Sequence, residues 1–181
     1  MDQNDIKQIL LTQDQLAQKV AEMGAQITQD YRGKNLMVIS VLKGSVIFLG
    51  ELIRHINLPL VMDFMAVSSY GAGVKTSGVV KIIKDLDLSV EGYDLLIVED
   101  ILDSGMTLSY LTELLWDRKP NSIKVATLLD KPERRQTDMK ADYLGFVIPD
   151  EFVVGYGLDY NEQYRNLPYV GVLAPEVYTN A

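Results

Sequence analysis

The stretch Val98-Glu99-Asp100-Ile101-Leu102-Asp103-Ser104-Gly105-Met106-Thr107 lies between an apolar run, Leu95-Leu96-Ile97-Val98, and a helical pattern that begins near Thr107. An apolar run of this kind reads as a strand covered on both faces, and Glu99-Asp100 reads as the polar turn that ends it. Three carboxylates, Glu99, Asp100 and Asp103, fall within five residues. Like charges this close raise one another's proton affinity unless a cation or hydrogen-bond donors satisfy them. Ser104-Gly105-Met106-Thr107 leads into the helix, where unpaired N–H groups, two hydroxyls and the positive end of the helix dipole suit a phosphate. Acceptors for hydroxyls or Mg²⁺ beside a phosphate cradle are the chemistry a sugar phosphate requires. The plain alternative makes Asp103 or Ser104 a helix cap and Glu99-Asp100 a solvated turn. The conjunction of apolar strand, acid pair, third acid and Gly-Xaa-Thr favours the binding site.

Working outward, the same strand–turn–helix grammar recurs. A helix is expected from about Thr12 to Tyr31, with Thr12 and Gln15 as a capping box, Leu16, Val20, Met23, Ile27 and Tyr31 at three- and four-residue spacing, and Gly33 beyond its end. Leu36 to Leu42 reads as a buried strand, Lys43-Gly44-Ser45 as a turn, and Val46 to Ile56 as a helix. Leu60 to Ser69 and Val79 to Ile83 are strand-like and flank a glycine-bearing loop, Tyr70 to Gly78. The helix from about Thr107 to Arg118 ends on Arg118 and Lys119, which favour its negative pole, and Pro120 stops it. Ile123 to Leu129, Tyr143 to Ile148 and Tyr169 to Leu173 are further strands. The alternation predicts an open α/β fold with a mostly parallel sheet, whose ligands sit at the carboxyl ends of the strands.

Composition narrows the function. The 181 residues suit one domain, with no internal repeat and no linker-like tract. Seventeen Lys and Arg against 25 Asp and Glu give a net charge of −8, which argues against generic nucleic-acid binding. There is no Cys, which excludes thiolate nucleophiles and Cys-ligated metals, and the single His, His55, excludes His-pair metal sites. His55 is expected to end a helix after Arg54 in a structural role. No apolar run approaches the ~18 residues of a membrane span, and the start is acidic and polar. The expectation is a cytoplasmic protein that binds neither membrane nor nucleic acid.

With these residues in view, Val98 to Thr107 resembles the phosphoribosyl-pyrophosphate signature of type I phosphoribosyltransferases. Leu42-Lys43-Gly44-Ser45 is similar to the pyrophosphate loop of the hypoxanthine-guanine phosphoribosyltransferase family, and Ser68-Ser69-Tyr70-Gly71 to the start of its mobile loop. Asp130-Lys131-Pro132 stands where that family carries its base-reading lysine. Pro149 to Glu162 resembles its purine-site segment, and the four motifs occur in family order. The resemblance implies one domain over residues 1–181: a twisted, mostly parallel central sheet flanked by helices (core about 36–148), with a small hood from the N-terminal segment and about 149–181. It also implies Mg²⁺-dependent transfer of phosphoribose from phosphoribosyl pyrophosphate to hypoxanthine or guanine, giving IMP or GMP and pyrophosphate in purine salvage, by a homodimer or homotetramer.

Carried over by position, the resemblance gives Glu99 and Asp100 to the ribose hydroxyls and Mg²⁺, and Asp103 to acid/base work near purine N7. Ser104, Gly105, Met106 and Thr107 bind the 5′-phosphate. Lys131 donates to the 6-oxo group, Phe152 stacks on the base, Ile101 also borders it, and the Val153 backbone meets its edge. Asp159 borders the purine and holds a second Mg²⁺. Leu42, Lys43, Gly44 and Arg165 hold pyrophosphate, with a Leu42-Lys43 peptide that is cis in some members, while Ser69 and Tyr70 begin the mobile loop.

Other classes fit less well. A signalling receiver domain also has a strand-end acid pair and a Lys-Pro, but here the pair comes too late in the chain. A regulator that kept the site and lost catalysis would not need Asp103, Lys131 and Asp159 together. No Gly-x-x-x-x-Gly-Lys-Ser/Thr occurs, which disfavours a P-loop nucleotidase. Asp85-Leu86-Asp87-Leu88-Ser89 resembles a phosphatase nucleophile motif, but it follows a strand alternating through Lys81 and Lys84 and reads as a solvated turn.

Overall fold

Alternate residues of the buried strands point to two separate apolar layers. In the computed structural model, which describes residues 5–69 and 80–179, the strands are β1 (Ile6–Leu11), β2 (Leu36–Leu42), β3 (Val61–Ser69), β4 (Val80–Lys84), β5 (Asp94–Leu102), β6 (Ser122–Asp130), β7 (Tyr143–Val147), β8 (Val153–Val154) and β9 (Val170–Leu173). The helices are α1 (Gln13–Asp30), α2 (Val46–Arg54), α3 (Met106–Trp116) and α4 (Pro175–Thr179). On β5, Leu96 and Val98 face α1 and α2, joining Leu16, Val20, Ile27, Phe48 and Leu52. Leu95 and Ile97 face α3, joining Leu108, Leu111 and Leu115. Full burial of each such side chain is worth about 1.5–3 kcal/mol, so both layers hold β5 at the centre.

The large sheet has the order β4-β3-β2-β5-β6-β7. All neighbours are parallel except β3 and β4. A second sheet, β1-β9-β8, is antiparallel and draws its strands from both ends of the described chain. Leu11, Val153, Val170 and Val172 of this small sheet share the α1/α2 layer with the large one. No helix among the described residues is long and apolar enough to cross a membrane.

The capping box of α1 forms as read, with Thr12 Oγ1 accepting from Gln15 N and Gln15 Oε1 accepting from Thr12 N. His55 ends α2 and packs against Gly24 of α1. Several expectations change. Glu99 and Asp100 are not a turn: β5 runs on to Leu102 because β6 pairs with it through Glu99↔Thr127, Ile101↔Leu129 and Leu102↔Asp130. Arg118 lies past the end of α3, and both its terminal nitrogens bind Asp85, at 2.7 and 2.9 Å, rather than the helix end. The Asp85–Ser89 turn is tied inward as well, since buried Asp63 accepts from the Asp87 and Leu88 amides. Strands β1 and β8 and helix α4 were not legible; β1 exposes much of its length and is defined by its pairing with β9. The Tyr70–Gly78 loop lies outside the described residues.

Tyr31, at the end of α1, is 1% exposed and donates its hydroxyl to Leu95 O at 2.9 Å. Tyr31→Phe removes one buried hydrogen bond and is expected to cost about 1 kcal/mol. For a chain of this size that is a fall in Tm of ~2–4 °C. An unchanged Tm in thermal denaturation would show that this bond contributes nothing to joining α1 to the sheet.

Candidate active site

The site begins where the sheet loses a neighbour. β2 pairs with β5 only as far as Ser40↔Val98, whereas β6 follows β5 to Leu102. From Glu99 onward one edge of β5 is therefore open, and the chain after β2 curls over that gap. A cleft of about 230 Å³ results, lined by Leu42, Gly44, Glu99, Asp100, Ile101, Asp103, Ser104, Gly105 and Thr107 among others. The sequence also missed Val67 of β3, which lines it.

Glycine is required where the loops close on the acids. A Cβ on Gly44 would overlap the Asp100 carboxylate, so the Leu42-Lys43-Gly44 backbone lies directly against it. The Leu42-Lys43 peptide is cis. Gly157, at φ +104°, approaches Gly44 O from the other side as closely. Gly105 takes φ +83° at the start of α3, and the one side-chain bond to that start is long: Met106 N donates to Ser104 Oγ at 3.4 Å. The capping reading therefore holds for Ser104 through one long bond, while among the described residues no bond from an α3 amide reaches the Asp103 carboxylate. Thr107 and Leu108, the next two residues of α3, line the cleft, where the start of a helix favours an anion.

The acids are electrostatically uncomfortable. Burial pushes the Glu99 carboxyl well above its ordinary range, and the neighbouring Asp100 charge pushes it the same way. Burial raises Asp100 to about 6, against hydrogen bonds from backbone amides, including Ile101 N at 2.7 Å. Arg165 acts on Asp100 in the lowering direction and Asp159 in the raising direction, which places both near it. No basic side chain among the described residues pairs with Glu99.

A network of cations shapes the rest. Arg165 donates to Gly157 O at 2.8 Å and pairs with Asp159 at 2.9 Å and Glu162 at 3.4 Å. Lys43 reaches the same Glu162 at 3.0 Å, so the two segments assigned to pyrophosphate are linked. Lys131 is buried and donates to Glu151 O at 2.7 Å, with Asp150 at 3.9 Å; desolvation lowers its pKa. Arg134 Nε stands 2.8 Å from Asp103 Oδ1, but the N–H is not aligned on it, and that buried oxygen lacks a hydrogen bond. Arg135, absent from the sequence reading, donates to Asp103 O at 3.0 Å and to Met139 O at 2.6 Å, and it pairs with Asp130. It thereby holds the 102–104 backbone in place; the adjacent Arg134-Arg135 after Lys131 was the available signal.

Not every expected residue lines the cleft. Met106 is exposed and does not. Val153 is buried in the core and its strand pairs with β9, while Phe152 is exposed beside Glu151, whose carbonyl holds Lys131. Asp159 is engaged by Arg165 and forms no cluster of three carboxylates with Glu99 and Asp100. Ser69 ends β3 with its side chain outside the description, and Tyr70 lies outside the described residues.

A strand-end acid pair, a weakly capped helix start and a glycine turn closing over the acids are what a phosphoribosyl group needs. The phosphoribosyl transferase domain model matches residues 7–161, and the chain belongs to that family. It is 58% identical over 178 residues to the hypoxanthine-guanine phosphoribosyltransferase of Bacillus subtilis, covering 98% of this chain and 99% of that one. It is 56% identical over 176 residues to the bifunctional protein TilS/HprT of Listeria monocytogenes, of whose length it spans only 27%. The solved hypoxanthine phosphoribosyltransferase of Staphylococcus aureus superimposes with a TM-score of 0.94 at 56% identity, covering 97% of this chain and 95% of that chain.

Because burial pushes the Asp100 carboxyl up to about 6 from its ordinary 3.8, its ionisation opposes folding. That cost is absent below about pH 4 and complete above about pH 6. Asp100→Asn keeps the shape and an acceptor for Ile101 N, so the ligand-free variant should melt ~2–4 °C higher at pH 8, on the order of 1 kcal/mol. The gain should shrink as pH falls through 6. A lower Tm at pH 8 would mean the carboxylate is compensated after all.

Proposed function

We propose that the protein transfers the 5-phosphoribosyl group from phosphoribosyl pyrophosphate to N9 of hypoxanthine or guanine, releasing pyrophosphate and forming IMP or GMP. The observation that carries this reading is the uncompensated Glu99–Asp100 pair under Gly44, beside the open start of α3. Two carboxylates that repel each other accept hydrogen bonds from two ribose hydroxyls with little cost in desolvation, since they are already dry. The amides and hydroxyls of Ser104 to Thr107 take the 5′-phosphate. The bond from C1′ to the pyrophosphate oxygen breaks as the purine nitrogen bonds to C1′, and the purine's proton passes to the Asp103 carboxylate near N7.

Glu99 and Asp100 are hard oxygen donors that form no ion pair among the described residues, which fits a Mg²⁺ completed by water and substrate oxygens. Such an ion supplies charge neutralisation to the phosphates. Asp159 would serve a second ion in exchange for its pair with Arg165. Lys43, Arg165 and the Leu42–Gly44 backbone hold the departing pyrophosphate; Ser69 and Tyr70 open the loop that covers it. Lys131 donates to the 6-oxo group, and its burial fixes the distance at which a 6-amino group would clash donor to donor. Phe152 stacks on the base, Ile101 borders it, and the Val153 backbone reads its edge. We further propose that the small sheet forms the hood over the base, and that the enzyme works in the cytoplasm as a homodimer or homotetramer; Val46 and Ile47, exposed on α2, offer apolar surface for a second copy.

Absorbance-monitored turnover with phosphoribosyl pyrophosphate and Mg²⁺ should convert hypoxanthine or guanine but not adenine. Lys131→Ala should erode that preference by at least tenfold, and retained discrimination would reject its role. Turnover of no base, despite binding of phosphoribosyl pyrophosphate, would make the protein a regulator instead. Asp103→Asn should lower kcat about 10²–10⁴-fold, the usual worth of general acid–base catalysis, with bases and phosphoribosyl pyrophosphate still bound. An unchanged kcat would remove Asp103 from proton transfer.

A further inference from the structure

Phe152 is a large aromatic side chain left 41% exposed at the edge of the small sheet. One face of its ring is covered. Tyr178 of α4 stacks on it with centroids 5.2 Å apart and planes 25° from parallel. Tyr160 meets Phe152 edge-on at 5.7 Å and 87°, and meets Tyr178 at 6.4 Å. Tyr160 and Tyr178 belong to an apolar cluster of Val154, Tyr164 and Leu173, made entirely by the small sheet and its adjoining segments.

The position of α4 is tied to Phe152 itself. Leu173 N donates to Phe152 O at 2.8 Å, and Ala174 N donates to Asp5 O at 2.8 Å just before α4 begins. Tyr178 thus approaches Phe152 from within the small sheet. Phe152 directly follows Glu151, whose carbonyl accepts from Lys131 Nζ at 2.7 Å, so the ring and the lysine assigned to the base sit on one short segment. The Tyr178 hydroxyl has no partner among the described residues, so the contact is one of rings.

We infer that Tyr178 is a positioning residue for the purine: it backs Phe152 so that the base stacks as a third layer on a ring already fixed. The inference rests on the proposed role of Phe152 as the base platform. A phenyl side chain at the end of a two-residue strand has rotamers to choose among, and a stacked and an edge-on neighbour together leave it one. A base that lands on a fixed ring does not have to order it on binding. The effect belongs in the affinity for the base, with the transfer step and the phosphoribosyl pyrophosphate site unaffected.

The test is steady-state kinetics of Phe152→Leu, Tyr178→Leu and Tyr178→Phe, with KM for hypoxanthine, KM for phosphoribosyl pyrophosphate and kcat read separately. Tyr178→Leu should raise the hypoxanthine KM about three- to tenfold, the scale of one lost aromatic pair. The other two parameters should stay within about twofold, and Tyr178→Phe should behave as the parent. If Tyr178→Leu fails to fold, deletion of residues 175–181 removes the ring without placing a new side chain and must give the same split. A raised KM in Phe152→Leu with a normal KM in Tyr178→Leu would overturn the role of Tyr178 and leave the platform standing. A normal KM in Phe152→Leu would overturn the platform and, with it, this inference. A lowered KM in Tyr178→Leu would show that the ring obstructs the base, which contradicts the proposal.

Discussion

Two adjacent carboxylates at the end of a buried parallel strand, with no cation among the described residues to pair with Glu99, are the constraint around which the molecule is arranged. Nothing about folding requires them there. The strand that carries them is held by two apolar layers, and those layers provide the stability against which the charges are kept. The register explains how the gap arises: β2 leaves β5 at Val98 while β6 continues, so the acids stand on a supported strand with one open edge. A site on a strand is more rigid than a site on a turn. That rigidity suits the proposed transfer, which requires the anomeric carbon to be aligned between two groups.

The loops around the acids depend on the same constraint. Gly44 has no side chain because the Asp100 carboxylate fills that space, and Gly157 has none because Gly44 O fills its own. Arg165 then ties the second loop to Asp159 and Glu162, and Lys43 ties the first loop to Glu162. The result is a basic rim over an acidic floor, with Arg135 fixing the backbone that leads into α3. In a chain of net charge −8, this local separation of sign is what gives a polyanion a place to bind.

Much of this was legible in the residues. The apolar run before Glu99, the helix periodicities and the capping box of α1 gave the large sheet and its helices, because those elements bury whole faces and leave a periodic trace. Strands β1 and β8 left no such trace: one is mostly exposed, the other two residues long, and both exist through pairing with β9, from distant parts of the chain. Glu99 and Asp100 read as a turn because two charges rarely sit on a central strand; the open edge that permits it is a matter of register. Arg135 left only the signal of two arginines after Lys131, since its acceptors are backbone carbonyls and a carboxylate around it, and a pair of basic residues after a strand does not say which one points inward. Arg118 was read against its own helix and instead binds Asp85, about thirty residues away in sequence, where the planar guanidinium matches a carboxylate better than a helix end does.

The proposal turns on Glu99 and Asp100 forming no ion pair among the described residues, which leaves them to a metal-complexed phosphoribosyl group. Calorimetric titration of phosphoribosyl pyrophosphate into the protein, with Mg²⁺ and with chelator, measures this without turnover. The account predicts binding at least tenfold tighter with Mg²⁺, and loss of that difference when Glu99→Gln and Asp100→Asn are combined. Equal affinity with and without Mg²⁺ in the parent protein, or an undiminished Mg²⁺ effect in the double variant, would contradict it.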